Sequence, residues 1–153
     1  MTPSDNAAAL RRAVDDALPL LQGASDTRTI VRPAPGKWCA REVLGHLIDS
    51  ACNNHRRFVL GHAGQTQRWD GYEQDHWVSS QQYASERWTD LVALWAAYNR
   101  HLAHVMAATT AATAAHAATS PDGGRQLSVG FLMSDYVSHL DHHLDQLRGL
   151  LQP

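Results

Sequence analysis

The sequence predicts an all-α fold, a four-helix bundle. Three observations carry this: four stretches with apolar residues at helical spacing, Gly- and Pro-bearing breaks between them, and the lack of any alternating strand pattern of useful length. At 153 residues the chain has the size of one domain, and a length near this buries roughly 70% of the unfolded chain's surface. Residues 1–153 are therefore read as a single domain.

The first helix is expected from about Ser4, a candidate N-cap, to Gly23, a candidate stop, with Leu10, Val14, Leu18 and Leu21 on one stripe. Pro19 sits late inside it and should kink or shorten it. After the turn residues of Arg32-Pro33-Ala34-Pro35-Gly36-Lys37, the second helix is expected from about Ala40 to Leu60, closed by Gly61 and Gly64. Cys39 takes its N-cap position with Glu42 three residues on, a capping box with sulfur in place of the usual hydroxyl. Gln65 to Ser85 is polar and aromatic without sustained periodicity, which predicts a long ordered connection. The third helix is expected from about Glu86 to Ala108 on the stripe Trp88, Leu91, Val92, Trp95, Tyr98, Leu102 and Val105. The Ala- and Thr-rich run 107–119 either extends that helix or frays, and the turn Pro121-Asp122-Gly123-Gly124 ends it. Ser128 is the N-cap expected for a fourth helix reaching Leu151.

Charge narrows the function. Thirteen basic and fifteen acidic residues are interspersed for a formal charge of −2, so no basic stripe exists to neutralise a phosphate backbone, and nucleic acid is not an expected partner. No membrane span is expected either, and the N-terminus lacks the basic-then-apolar order of a signal peptide, which makes a cytoplasmic protein the expectation. Cys39 and Cys52 are too few for a disulfide scaffold and too far apart for a CxxC pair. No GxSxG motif and no Gly-rich phosphate loop is present.

Histidine is the outlier, with ten residues. On a helix each residue advances about 100°, so bearings follow from spacing. With Leu140 as zero, Val129, Met133, Tyr136, Leu144, Leu147 and Leu151 fall within roughly 40°; His143 lies near −60°, His139 near −100° and His142 near −160°. The first two border the core, four apart, as metal ligation from one helix demands; the alternative is a solvated face. In the second helix, with Leu47 as zero, His46 lies near −100°, beside Ser50 near −60°, Arg57 near −80° and Asn53 near −120°. Such a polar seam beside an apolar stripe needs a partner, and the His139 and His143 pair is the candidate. Three imidazoles with one position left open form a catalytic metal arrangement, whereas a structural zinc site wants a fourth protein ligand.

Other residues carry two readings each. Asp49, near −160°, either orients His46 or faces solvent. Gln146 either bonds a ligand or is surface. Asn99 either contacts the site or caps a neighbouring chain end. Tyr72, His76, Trp77 and Tyr83 either line a pocket mouth or form a hydrophobic lid. His55, His62, His76, His101, His104 and His116 form no second convergent set.

The run from Lys37-Trp38 through His46 to Asp49-Ser50, continuing to Asn53-Asn54 and Arg57-Phe58, resembles the second helix of the DinB/YfiT-like superfamily. Gly71-Tyr72 to Trp77, Leu91 to Leu102, and Asp135-Tyr136 through His139, His143 and Gln146 continue the resemblance over most of the chain. It implies a down-up-up-down four-helix bundle with a divalent metal on His46, His139 and His143. It further implies thiol-dependent transferase or hydrolase chemistry on a small-molecule substrate. Cys39, where the family often has Ser, is a departure that touches only a cap.

The expectation is thus a metal-dependent enzyme activating a thiol or water. The metal-bound group itself would do the chemistry, with Arg57 and Asp49 as candidate helpers and Ser50, Asn53, Arg57 and Gln146 as candidates for holding a thiol cofactor or substrate. Zinc or nickel leads, with iron or manganese as alternatives. The rival is a non-catalytic metal-binding module, stress-related or dimerising, and a homodimer is compatible with either.

Overall fold

The computed structural model describes residues 1–64, 71–120 and 123–152, together with the backbone of 67–68. Seven α-helices occur among the described residues: α1 (Pro3–Gly23), α2 (Asp26–Thr29), α3 (Ala40–Gly61), α4 (Gln74–Ser80), α5 (Trp88–Ala108), α6 (Ala111–Ala114) and α7 (Val129–Leu151). Three very short strands, β1 (Gln67–Arg68), β2 (Ala117–Thr119) and β3 (Gln126–Ser128), accompany them, with a 3₁₀ turn at Tyr83–Ser85.

The four long helices are α1, α3, α5 and α7, and each of α1 and α3 packs against both α5 and α7. Their directions follow from side-chain contacts. Asn6 near the start of α1 donates to Ser134 near the start of α7 at 3.1 Å, so these two run parallel. The indole of Trp88, opening α5, donates to the Leu21 carbonyl near the end of α1 at 2.7 Å, so these run antiparallel. Gly61 at the end of α3 lies against Val129 at the start of α7, and His62, just past α3, meets Thr109, just past α5, at 3.2 Å. The order is therefore down-up-up-down.

Local causes match the expected elements closely. Thr2, not Ser4, caps α1: its hydroxyl accepts from the Asp5 amide at 3.1 Å while Asp5 accepts from the Thr2 amide at 2.9 Å, a reciprocal capping box. Pro19 neither ends nor shortens α1. It lies on the exposed face, as does Asp15, whose carbonyl its ring deprives of an amide, while Ala17 and Leu21 on either side stay buried. Cys39 does cap α3, its amide donating to Glu42 at 2.9 Å, and Glu42 is held in turn by Arg32 at 2.7 Å. Ser128 caps α7 by accepting from the Phe131 amide at 3.0 Å.

The Ala/Thr run breaks rather than extends α5. Thr110 accepts from the Thr113 amide and so starts the separate turn α6, after which residues 117–119 pair antiparallel with 126–128, Ala118 opposite Leu127. β1 joins parallel to β2, Gln67 opposite Ala118. The sequence carries no alternating strand pattern of useful length, and strands of two or three residues are too short to show one. The connection from Gln65 to Ser85 also differs, since it contains α4 and the 3₁₀ turn; Gln65, Thr66, Trp69 and Asp70 within it lie outside the described residues, as do Pro121 and Asp122 of the expected turn.

The core sits where the four stripes meet. Leu10, Val14, Leu47, Phe58, Trp95, Leu102, Met133, Tyr136, Leu140 and Leu147 are all fully buried. Asn99 is fully buried among them and neither reaches the site nor caps a chain end: it donates to the Trp95 carbonyl and accepts from the Tyr136 hydroxyl. No helix is long and apolar enough to cross a membrane among the described residues. Both cysteines are free, Cys39 buried and Cys52 exposed.

Candidate metal centre

α3 and α7 run antiparallel, so the second turn of α3 faces the middle of α7. His46 is buried there, and His139 and His143, one turn apart, are partly buried opposite it. One ligand atom from each of the three lies within 4.8 Å of the others. His46 Nε2 approaches His139 Nε2 to 3.2 Å, and ring centroids are separated by 5.1 Å (His46 to His139), 4.8 Å (His46 to His143) and 4.6 Å (His139 to His143). This is the one group of three or more ligating side chains so placed among the described residues. His142 is exposed, as its bearing requires.

The electrostatics keep all three rings neutral. Burial, then the neighbouring imidazoles His143 and His139, push the His46 pKa down to about 4. Burial and His143 push His139 down to about 4 as well. His143 is also lowered by burial, with Gln146 opposing. Neutral imidazole is the form that ligates a metal. Two of the three rings have an acceptor at Nδ1: Gln146 Oε1 lies 2.9 Å from His143 Nδ1, and Ser50 Oγ lies 3.5 Å from His139 Nδ1, the far edge of hydrogen-bonding distance. A proton fixed on Nδ1 leaves the Nε2 lone pair for an ion. The donor set and its protonation state fit a divalent cation.

Around the rings, the seam expected on α3 is present but is not uniformly at the site. Ser50 is buried beside His139, and Asn54 donates to it. Asn53 donates to the Asp49 carbonyl and, with Arg57, Tyr72, Trp77 and Cys52, lines a recess of about 390 Å³. Arg57 donates to Asn54 Oδ1 at 3.3 Å, and burial lowers its pKa. Burial together with Asp49 raises the Tyr72 pKa to about 12. An open groove of about 670 Å³ on the other flank is lined by Lys37, Trp38, Gln74, Asp75 and Gln146.

Asp49 corrects one reading: it is not solvated but 1% exposed, because α4 and the 3₁₀ turn cover that face of α3. Tyr83 donates to its Oδ1 at 2.7 Å and Gln81 at 2.8 Å. Burial raises the Asp49 pKa against these two donors, which lower it. Of the aromatics in the connection, Tyr72 and Trp77 line the recess, Tyr83 is buried as a lid on Gly45, and His76 is exposed. Sequence reasoning assigned no part to Trp38, whose ring lies 5.1 Å from that of His46, or to Gln81. Their signal was absent because each precedes or follows a helix with no period to read. His55 and His101 do touch, at 5.1 Å between ring centroids, without forming a three-ligand group among the described residues.

The fold and the site together define a four-helix bundle with a tri-histidine cluster between its second and fourth long helices. Residues 9–147 match the DinB superfamily, and the chain belongs to that superfamily. The structure is also similar to that of YfiT from Bacillus subtilis, described as a probable metal-dependent hydrolase with an unusual four-helix bundle topology. The likeness has a TM-score of 0.86 at 19% identity, covering 97% of this chain and 85% of that one, and at that identity it speaks to the fold. No curated protein sequence matches this one.

Proposed function

We propose that this protein is a metal-dependent enzyme in which His46, His139 and His143 hold one divalent cation, with a coordination position left for a water or a low-molecular-weight thiol. The observation that carries this reading is the convergence of three neutral imidazoles within 4.8 Å with no fourth ligating side chain joining them among the described residues. A bound divalent ion supplies Lewis acidity and lowers the pKa of whatever fills its open position. The chain's own residues do the rest. Gln146 and Ser50 hold their rings with Nε2 turned inward, Trp38 walls one side of His46, and the recess of Asn53, Arg57, Tyr72 and Trp77 is where a small substrate or the thiol's polar body is held. Hydrolase and thiol-dependent transferase chemistry both follow from such a site, and zinc or nickel suits an all-imidazole set. The DinB membership and the words attached to YfiT support the metal-dependent reading.

The test is elemental analysis of protein purified without a nickel column, on wild type and on His46→Ala, His139→Ala and His143→Ala, followed by a screen of esters and of thiols paired with electrophilic acceptors. Stoichiometric metal lost in each variant, with turnover that follows the metal, is the expected result. Metal that is substoichiometric in wild type, or that survives all three substitutions, overturns the reading. Metal without turnover leaves a binding module instead of an enzyme.

A further inference from the structure

His46 differs from the other two ligands in one respect. Its Nδ1 is buried and has no hydrogen-bond partner, and three residues along α3 the Oδ2 of Asp49 is likewise buried and without a partner. Orphaned buried polar atoms are rare and costly in native proteins, and residues three apart on a helix are neighbours, with Cβ atoms about 5–6 Å apart. In the metal-free arrangement the pair is tolerable: with Nε2 of His46 only 3.2 Å from Nε2 of His139, one proton is shared between the two ε nitrogens, and His46 Nδ1 is then a bare lone pair. A cation on Nε2 forces the neutral ring into its other tautomer, with the proton on Nδ1. That creates a buried N–H, and a buried N–H needs an acceptor.

Resting on the tri-histidine reading above, we infer that Asp49 is the positioning residue for His46: its Oδ2 accepts the Nδ1 proton that metal loading places on the ring. Asp49 is held for this task from its other oxygen. Oδ1 is already taken by Tyr83 and Gln81, Tyr83 is pinned against Gly45, and both donors come from the segment that covers α3. The other two rings meet Gln146 and Ser50 at the same atom, so Asp49 completes a set of one acceptor for each ligand, and it is the only carboxylate of the three. A carboxylate behind a ligating imidazole raises its basicity and fixes its orientation. Asp49 is in this account a residue acting through His46, not one that touches substrate.

The test uses the full chain. Zinc affinity is measured by chelator competition for wild type, Asp49→Asn and Tyr83→Phe. Metal-free melting temperatures are recorded in parallel, and the His46 ring is followed by long-range proton–nitrogen correlation in loaded protein. Asp49→Asn keeps shape and the contact to Tyr83 but turns an amide donor toward the Nδ1 proton. The expected result is a ten- to hundredfold loss of zinc affinity in Asp49→Asn with little change in the metal-free melting temperature. An exchange-protected Nδ1 proton on His46 is expected in loaded wild type, lost in the variant. Tyr83→Phe removes one of the two donors that hold Oδ1 while leaving Oδ2 intact, so it lowers zinc affinity by less than Asp49→Asn does and also lowers the melting temperature. Wild type that binds zinc while Asp49→Asn binds it equally well, or equal losses in Asp49→Asn and Tyr83→Phe, overturns the inference and leaves the tri-histidine reading standing. Wild type that binds no zinc overturns both.

Discussion

Acidifying the metal-free protein is expected to destabilise it through His46. The ring is 1% exposed, and burial, His143 and His139 bring its pKa from 6.5 to about 4 in the folded state. The unfolded chain keeps an ordinary imidazole, so between these two values it holds a proton that the folded protein excludes, and stability falls as pH drops through that window. The contribution is fully retained above pH 6.5 and stops changing below about 4. A displacement from 6.5 to about 4, at about 1.4 kcal/mol for each pH unit, amounts to roughly 3 kcal/mol, a large fraction of a domain's stability. His139 is displaced in the same direction but is partly open to solvent, so its share is smaller. The assay is urea denaturation of chelator-treated protein from neutral pH down to about pH 4.5, wild type against His46→Gln, which carries no titrating ring. Groups away from the cluster act on both proteins alike, so the difference between the two curves reports His46 together with its coupling to His139 and His143. If wild type and His46→Gln lose stability in parallel across the window, the reasoning is refuted.

Two packing predictions test the walls of the site and the core behind it. A Cβ at Gly45 would lie 2.1 Å from Cδ2 of Tyr83, and since Tyr83 is tied to Asp49 its ring has nowhere to swing; Gly45→Ala is expected to cost about 1–3 kcal/mol, and an unchanged melting temperature would show the lid to be loosely seated. Tyr136→Phe leaves Asn99 Oδ1 in a fully buried position without its donor, for an expected loss of about 1–3 kcal/mol in denaturant titration; a neutral result would mean that Asn99 finds another partner. Neither substitution touches a histidine of the cluster, so the chelator-competition affinity for zinc is expected to stay near wild type in Tyr136→Phe.

The four long helices were legible because each repeats its apolar residues at a period that only one local structure satisfies. Leu10 and Val14, Leu47 and Phe58, Trp95 and Leu102, and Met133, Tyr136 and Leu140 mark faces that point to one core, and those faces are buried. Bearings on α7 separated His142 from His139 and His143, since a rotation of about 100° per residue is local geometry. Local capping chemistry was legible for the same reason at Cys39 with Glu42 and at Ser128.

What lies between the helices was not. The connection that carries α4, Gln81 and Tyr83 has no period, and its structure comes from what it covers. That is why Asp49, which a bearing near −160° turns toward solvent, is buried under Tyr83 and Gln81. A bearing measures direction around one helix and is blind to what a distant segment lays on top of it. The break after Ala108 was undecided for a similar reason, because an Ala/Thr run is compatible with helix or strand until Ser128 and Leu127 offer a partner edge. The sequence by itself determined which histidines border the core on each helix. Only the tertiary structure decided that α3 and α7 run antiparallel with His46 opposite His139 and His143, since the distance between residues 93 positions apart is set by helix packing and not by any local propensity.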